Sequence, residues 1–240
     1  MTVLLERRDG GIAVLTLNRP AAANALDSAL HRALVAALAR AAAEGDVRGV
    51  VLGAAGERVF SAGADLKEFA ELDPTEAGRG RRALLVGTLL ALAAFPKPLV
   101  AMVQGKAVGA GAMLAVLADE IVAAETASFS LPEIRLGMPS PLGYEIVAAR
   151  TGARFARRMV QTGESVDAAL ALAVGLADEI VPAAALAGRA TERARSLAEA
   201  PAAAFAANKA WIERPVRAAI ERAAAEAARL HDDAASAARS

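Results

Sequence analysis

The sequence contains no cysteine and only two histidines, His31 and His231, far apart in the chain. That excludes disulfides, thiolate metal sites and a thiol nucleophile, and leaves little from which to build a transition-metal centre. No charge of one sign dominates: Lys plus Arg and Asp plus Glu each number 27. No stretch groups basic and aromatic residues into a nucleic-acid face. Long hydrophobic runs are also missing, since each is broken by Arg, Glu or Gly before the roughly 18 residues a membrane span needs. Met1 to Gly10 has no apolar signal core. The expectation is a soluble cytoplasmic protein with neither nucleic acid nor membrane as partner, whose chemistry comes from carboxylates, hydroxyls or backbone.

What is present is apolar: 55% of the 240 residues are hydrophobic, enough for one large domain or a domain with an appendage. Ile12 to Leu17, Gly49 to Leu52, Leu99 to Val103 and Glu120 to Ala123 are short apolar runs bounded by Gly, Pro or charge, the pattern of buried strands. Leu26, Leu30, Leu34 and Leu38 recur every four residues before a stop at Gly45, and Leu85, Leu89 and Leu92 repeat that helical spacing. Alternating strands and helices predict an α/β fold with covered parallel strands. From about Val181 onward, Ala-rich segments punctuated by Pro182, Pro201 and Pro215 predict helices alone.

Two glycine elements stand out. Phe60 to Lys67 (FSAGADLK) follows the GVVL strand by a loop, and Gly109-Ala110-Gly111 follows LVAMV. Each reads as a strand, a glycine bend and a helix start, where unpaired N–H groups can meet an oxyanion. A dinucleotide site fits less well, because Gly109-Ala110-Gly111 lacks the third glycine of that fingerprint, and no GxxxxGK[ST] pattern occurs.

Taken together these segments resemble the crotonase, or enoyl-CoA hydratase/isomerase, superfamily. Asn18-Arg19-Pro20 with Asn24-Ala25-Leu26 is similar to its coenzyme A edge, and Phe60 to Lys67 to its first oxyanion loop. Lys97-Pro98, Gly105 to Gly111 and Ala118-Asp119 resemble the second loop and its helix. Phe129 to Gly137 (FSLPEIRLG) resembles the segment carrying the catalytic glutamate, and Thr162-Gly163 with Ala173 to Val181 the approach to the helical C-terminus. The likeness runs from about residue 12 to about residue 212.

The resemblance implies a spiral of ββα turns over residues 1–180 and a helical region over 181–240 that serves trimerisation and covers coenzyme A, shorter than is usual. It implies a homotrimer or dimer of trimers, an acyl-CoA thioester as substrate, and no cofactor beyond the substrate's own coenzyme A. The N–H groups of Ala64 and Ala110 would form the oxyanion hole, and Glu133 would be the general acid/base. Ala25, Leu26, Ala62, Asp65, Leu66, Lys67, Gly109, Met113, Pro141 and Leu142 would line the substrate path. Because the donor is backbone, Ala110 in place of the usual glycine keeps the N–H.

Two positions depart from the family. The second glutamate of its hydratases falls at Met113, and the acid of its dienoyl-CoA isomerases falls at Pro141; neither side chain transfers a proton. With Glu133 alone, moving a double bond from C3 to C2 of the acyl chain is the best chemical match. Hydration, another lyase or hydrolase reaction, and a non-catalytic acyl-CoA-binding role are the alternatives. Tyr144 and Glu145 could reach the pocket, although packing is the plainer role for Tyr144. Asp65 reads as a cap for the helix after Gly63. Asp119, His31 and His231 read as structural, Trp211 and Phe205 as anchors of the C-terminal helices, and Leu72, Leu84, Met113, Met138 and Leu142 as setting pocket width.

Overall fold

The computed structural model describes residues 2–68 and 74–237, with the side chains of 74–78 and 230–237 not described. Leu72 and the side chain of His231 therefore lie outside the described part. The chain opens on a hairpin, β1 (Leu4–Asp9) antiparallel to β2 (Ile12–Leu17), and continues into α1 (Ser28–Ala43). Next come β3 (Gly49–Ala54), β4 (Val59–Ser61) and α2 (Pro74–Ala93), then β5 (Leu99–Val103), β6 (Lys106–Val108) and α3 (Ala110–Val116). β7 (Glu120–Ala124) and β8 (Ser128–Ser130) lead to α4 (Pro141–Thr151) and α5 (Ala153–Thr162). β9 (Ser165–Asp167), α6 (Ala168–Ala173) and β10 (Glu179–Val181) precede α7 (Leu186–Leu197), α8 (Ala202–Ile212) and α9 (Arg214–Ala237).

The strands fall into two sheets, β1-β2-β3-β5-β7-β10 and β4-β6-β8-β9. In the pairs β3-β4, β5-β6 and β7-β8 the first strand joins the large sheet and the second the small one before a helix returns the chain. That is the expected spiral of ββα turns. From β2 to β10 the large sheet is parallel, and every residue of β3 is buried. Alternation explains why: Val51, Val100 and Val122 face α7 with Leu186, Ala190 and Ala194, while Val50, Leu52, Leu99 and Ala101 face the main core. A strand covered on both sides can be apolar throughout. Burying each such side chain contributes about 1.5–3 kcal/mol, which fixes the frame on which the loops at the strand ends are mounted.

The expected strands are all present, β3 and β7 running slightly longer than expected, while the start of the first helix moves. Asp27, not Leu26, marks the start of α1: its carboxylate accepts a hydrogen bond from Leu30 N at 2.7 Å. A capping side chain satisfies one of the free N–H groups of the first turn. Leu26 instead pairs with Ala64 as an isolated parallel bridge. The short strands β4, β6, β8 and β9 have no alternating pattern long enough to announce them, because each spans three residues.

The C-terminal helices differ in how they attach. α9 packs on α2 and α4. α8 is pinned by a buried ion pair, Lys209 Nζ to Asp119 Oδ2 at 2.7 Å, and the same carboxylate oxygen accepts from Leu99 N at 2.8 Å. Asp119 thus joins β5 to α8, the structural role expected of it. Trp211 corrects its expectation: it is 72% exposed and stacks with Arg214 instead of anchoring the helix. The face of α8 that turns inward carries Lys209, so Trp211, two residues on, points outward.

Candidate active site

The first loop is held from behind by the Asn18 to Leu26 segment. Asn24 is 1% exposed, and its amide donates to Ala55 O at 2.9 Å and Val59 O at 3.0 Å while accepting from Arg19 N. Ser61 Oγ donates to Asn24 O and accepts from Gly63 N. Backbone bonds Ala62 N to Ala23 O, Leu26 N to Gly63 O and Asp65 N to Leu26 O close the ladder. Ala64 N takes no part in it and donates to none of the described residues. The expectation of a helix start at this loop is corrected: Ala64 sits in a strand-like bridge, and its N–H is left over because a parallel bridge engages only the residues on either side.

The second loop keeps its expected form. Ala110 is the first residue of α3, so its N–H has no carbonyl one turn back, and it too donates to none of the described residues. Gly63, at φ +88°, lets the two loops meet: a Cβ there would lie 2.8 Å from Val108 O and 3.4 Å from Ala110 N. Gly111 is equally constrained, since a Cβ would approach Ser61 O to 2.7 Å. The two unused donors are brought together by contacts that admit no side chain.

Glu133 lies in a short 3-10 turn, Pro132–Leu136, with its carboxylate over the second loop. A Cβ on Gly109 (φ +54°) would be 3.0 Å from Glu133 Oε1. Burial pushes the Glu133 carboxyl above the usual carboxylate range, opposed in part by its own backbone N–H and by the Ser140 hydroxyl. Ser140 Oγ is near enough to act on that charge. Neither it nor Glu133 Oε2 makes a hydrogen bond of ordinary geometry. Two buried polar atoms without partners facing one cavity mark a place for a polar ligand atom or water.

These groups line a cavity of about 200 Å³. Of the expected substrate-path residues it brings together Leu26, Ala62, Ala64, Leu66, Gly109, Ala110, Met113, Pro141 and Leu142, with Leu84 and Met138 also on the wall. Ala25, Asp65 and Lys67 are not on it. Asp65 is committed to Arg19 Nη1 at 2.9 Å and Lys67 N at 3.1 Å. Burial raises its pKa, but the Arg19 and backbone hydrogen bonds win and hold it below the usual value. It caps a turn rather than a helix. Lys67 is exposed. Tyr144 packs half-buried on the core and Glu145 is half-buried; neither lines the cavity.

Several residues of the wall were not placed there by sequence, Arg81, Arg82, Ser140, Ala227 and His31 among them. Ser140 hides in a loop whose register only the fold supplies. Ala227 of α9 reaches the cavity, and its carbonyl accepts from Arg82 Nη1 at 3.1 Å. His31, expected to be structural only, is also on the wall; its position beside the apolar stripe of α1 was the one available signal. Glu133 is the only carboxylate there among the described residues.

A two-sheet ββα spiral with two glycine loops converging beneath a carboxylate is the crotonase fold. Known proteins agree. The sequence model for "Enoyl-CoA hydratase/isomerase" matches residues 7–240, and the chain belongs to that family. It is 42% identical over 183 residues to an Escherichia coli 2,3-dehydroadipyl-CoA hydratase, covering 76% of this chain and 70% of the relative. It is 32% identical to a Clostridium acetobutylicum short-chain-enoyl-CoA hydratase over 93% of this chain and 85% of that one. The crystal structure of a Bacillus anthracis enoyl-CoA hydratase superposes with a TM-score of 0.84 at 30% identity, covering 94% of this chain and 90% of that one.

Proposed function

We propose that this protein binds an enoyl-CoA thioester with the thioester oxygen against Ala64 N–H and Ala110 N–H, and that Glu133 moves a proton on the acyl chain. The observation that carries this is the meeting of two unused backbone donors with one buried carboxylate at a single apolar cavity. Removing a proton from C2 places negative charge on the thioester oxygen, where fixed donors act at the moment it develops. One such donor contributes about 2.7–4 kcal/mol to the transition state. No group beyond the thioester is needed for that step.

Double-bond relocation is the reaction favoured. Glu133 takes the C2 proton of a 3-enoyl-CoA, the electron pair spreads over C2 to C4 and the oxygen, and the same carboxylic acid returns the proton to C4. The bonds to hydrogen balance, and no second acid is required. Met113 and Pro141, both on the wall, supply none. Hydration is the second reading, supported by relatives named as hydratases and by the unpartnered Ser140 Oγ and Glu133 Oε2, between which a water would fit chemically. Incubation with 3-hexenoyl-CoA and with crotonyl-CoA decides between them. Conversion of the first to its 2-enoyl isomer supports relocation, and efficient hydration of crotonyl-CoA without isomerisation overturns it.

Association into a trimer or a dimer of trimers belongs to the same proposal. The exposure of Trp211 and Ile212, 72% and 67%, supports α8 as part of the contact surface. Light scattering on the purified protein tests it; a monomer at micromolar concentration would contradict it.

A further inference from the structure

His31 is a buried polar side chain for which proton transfer by Glu133 has no use. It is 5% exposed and lines the same cavity. Its Nδ1 lies 2.7 Å from Thr88 Oγ1 on α2, and that hydroxyl donates its single proton to Leu84 O at 3.0 Å. A hydroxyl whose proton is already given can only accept. Nδ1 therefore carries the ring hydrogen, and Nε2 is left with a lone pair.

Nε2 has no hydrogen-bond partner among the described residues. The ring is almost fully buried and forms part of the cavity wall. The same wall carries the apolar side chains of Leu26, Leu66, Leu84 and Leu85 together with Arg81 and Arg82. A fixed acceptor on a largely apolar wall discriminates by what reaches it.

We propose that His31 Nε2 reads the acyl chain, accepting a hydrogen bond from a hydroxyl carried on an otherwise hydrocarbon tail. This rests on the enoyl-CoA reading above and narrows it to a substrate class. A plain hydrocarbon tail would bury the acceptor without a partner. A carboxylate-ended tail meets a lone pair in the field of Asp27 and Glu68, whose charges both act on this ring. Burial, which outweighs those two charges, lowers the pKa to about 4, so at neutral pH the ring stays an acceptor. Arg81 and Arg82 also line the cavity, which makes the carboxylate-ended chain the necessary comparison.

The test uses enoyl-CoA thioesters of six, eight and ten carbons, each ending in methyl, hydroxyl, methyl ether or carboxylate. For the wild type, kcat/KM for the hydroxyl-ended chain is expected to exceed the methyl-ended chain by about tenfold at one length, the worth of one hydrogen bond. The ether, which cannot donate, is expected to gain nothing. His31→Leu should bring the hydroxyl-to-methyl ratio close to one while methyl-ended chains are still turned over. Thr88→Val leaves the ring in place but frees its tautomer, and should raise the ether relative to methyl. Equal turnover of hydroxyl and methyl ends at every length, a hydroxyl preference that His31→Leu leaves intact, or a preference for carboxylate would each overturn the proposal. If methyl-ended thioesters react normally in those cases, the enoyl-CoA reading stands without it. If no thioester is bound or turned over, both fall.

Discussion

The two loops that deliver Ala64 N–H and Ala110 N–H reach the same cavity by different physical means. The first is a bridge held by side chains: Asn24, Ser61 and three backbone bonds fix it from behind, and Ala64 N is free because its neighbours are paired. The second is the open end of a helix, free by the geometry of helices, and it is positioned by steric fit, with Gly111 against Ser61 and Gly63 against Val108. One donor depends on polar bonds, the other on the absence of side chains. The first loop should therefore fail gradually as bonds are removed, and the second abruptly as atoms are added.

The largest effect lies where both loops converge. Glu133→Gln is expected to lower turnover about 10²- to 10⁴-fold with little loss of substrate affinity, measured by steady-state kinetics. Because burial raises the Glu133 carboxyl, the wild-type kcat/KM should fall on acidification through a pKa above the ordinary carboxylate range, as the base becomes protonated. An acid limb at an unperturbed value would argue that Glu133 is not that base. In stability the sign is opposite: a raised carboxyl favours the folded state while protonated, and that contribution is lost as pH rises through its folded pKa.

Next comes Gly111→Ala. The added methyl cannot share space with the Ser61 carbonyl, and the expected loss is about 10²- to 10³-fold in kcat, the size of losing one oxyanion donor. If kcat is unchanged, the second loop is not held by steric fit. A smaller effect is expected from Asn24→Ala, which removes two donated bonds and one accepted bond and should cost about 2–3 kcal/mol of stability, read by urea denaturation. Ser61→Ala should cost about 1 kcal/mol and shift kcat only modestly. A Ser61→Ala loss in kcat as large as that of Gly111→Ala would erase the contrast between the loops.

The same contrast explains what could be seen in the sequence. Apolar runs such as GVVL and LVAMV were legible because a strand covered on both faces is apolar throughout, and the repeat of Leu30, Leu34 and Leu38 because a helix buries one stripe. The second loop was legible for the same reason, a strand running into glycines and then an apolar helix. The first was misread as a helix start because the bonds that shape it come from Asn24, far back in the chain, and local pattern carries no trace of them. Leu26 joined the wrong element for the same cause. Glu133 was found through likeness to a family, while Ser140 and Ala227 reach the cavity only through folding of the loop before α4 and of α9. His31 shows the limit from the other side: its place on the helix was readable, but the Thr88 contact that fixes its tautomer lies 57 positions away.

The most direct test of the central claim is a crystal structure with an unreactive enoyl-CoA analogue bound. The account predicts the thioester oxygen about 2.7–3.1 Å from both Ala64 N and Ala110 N, with the Glu133 carboxylate in contact with C2 and C4. A thioester oxygen that meets neither N–H, or an acyl chain lying away from Glu133, would contradict it.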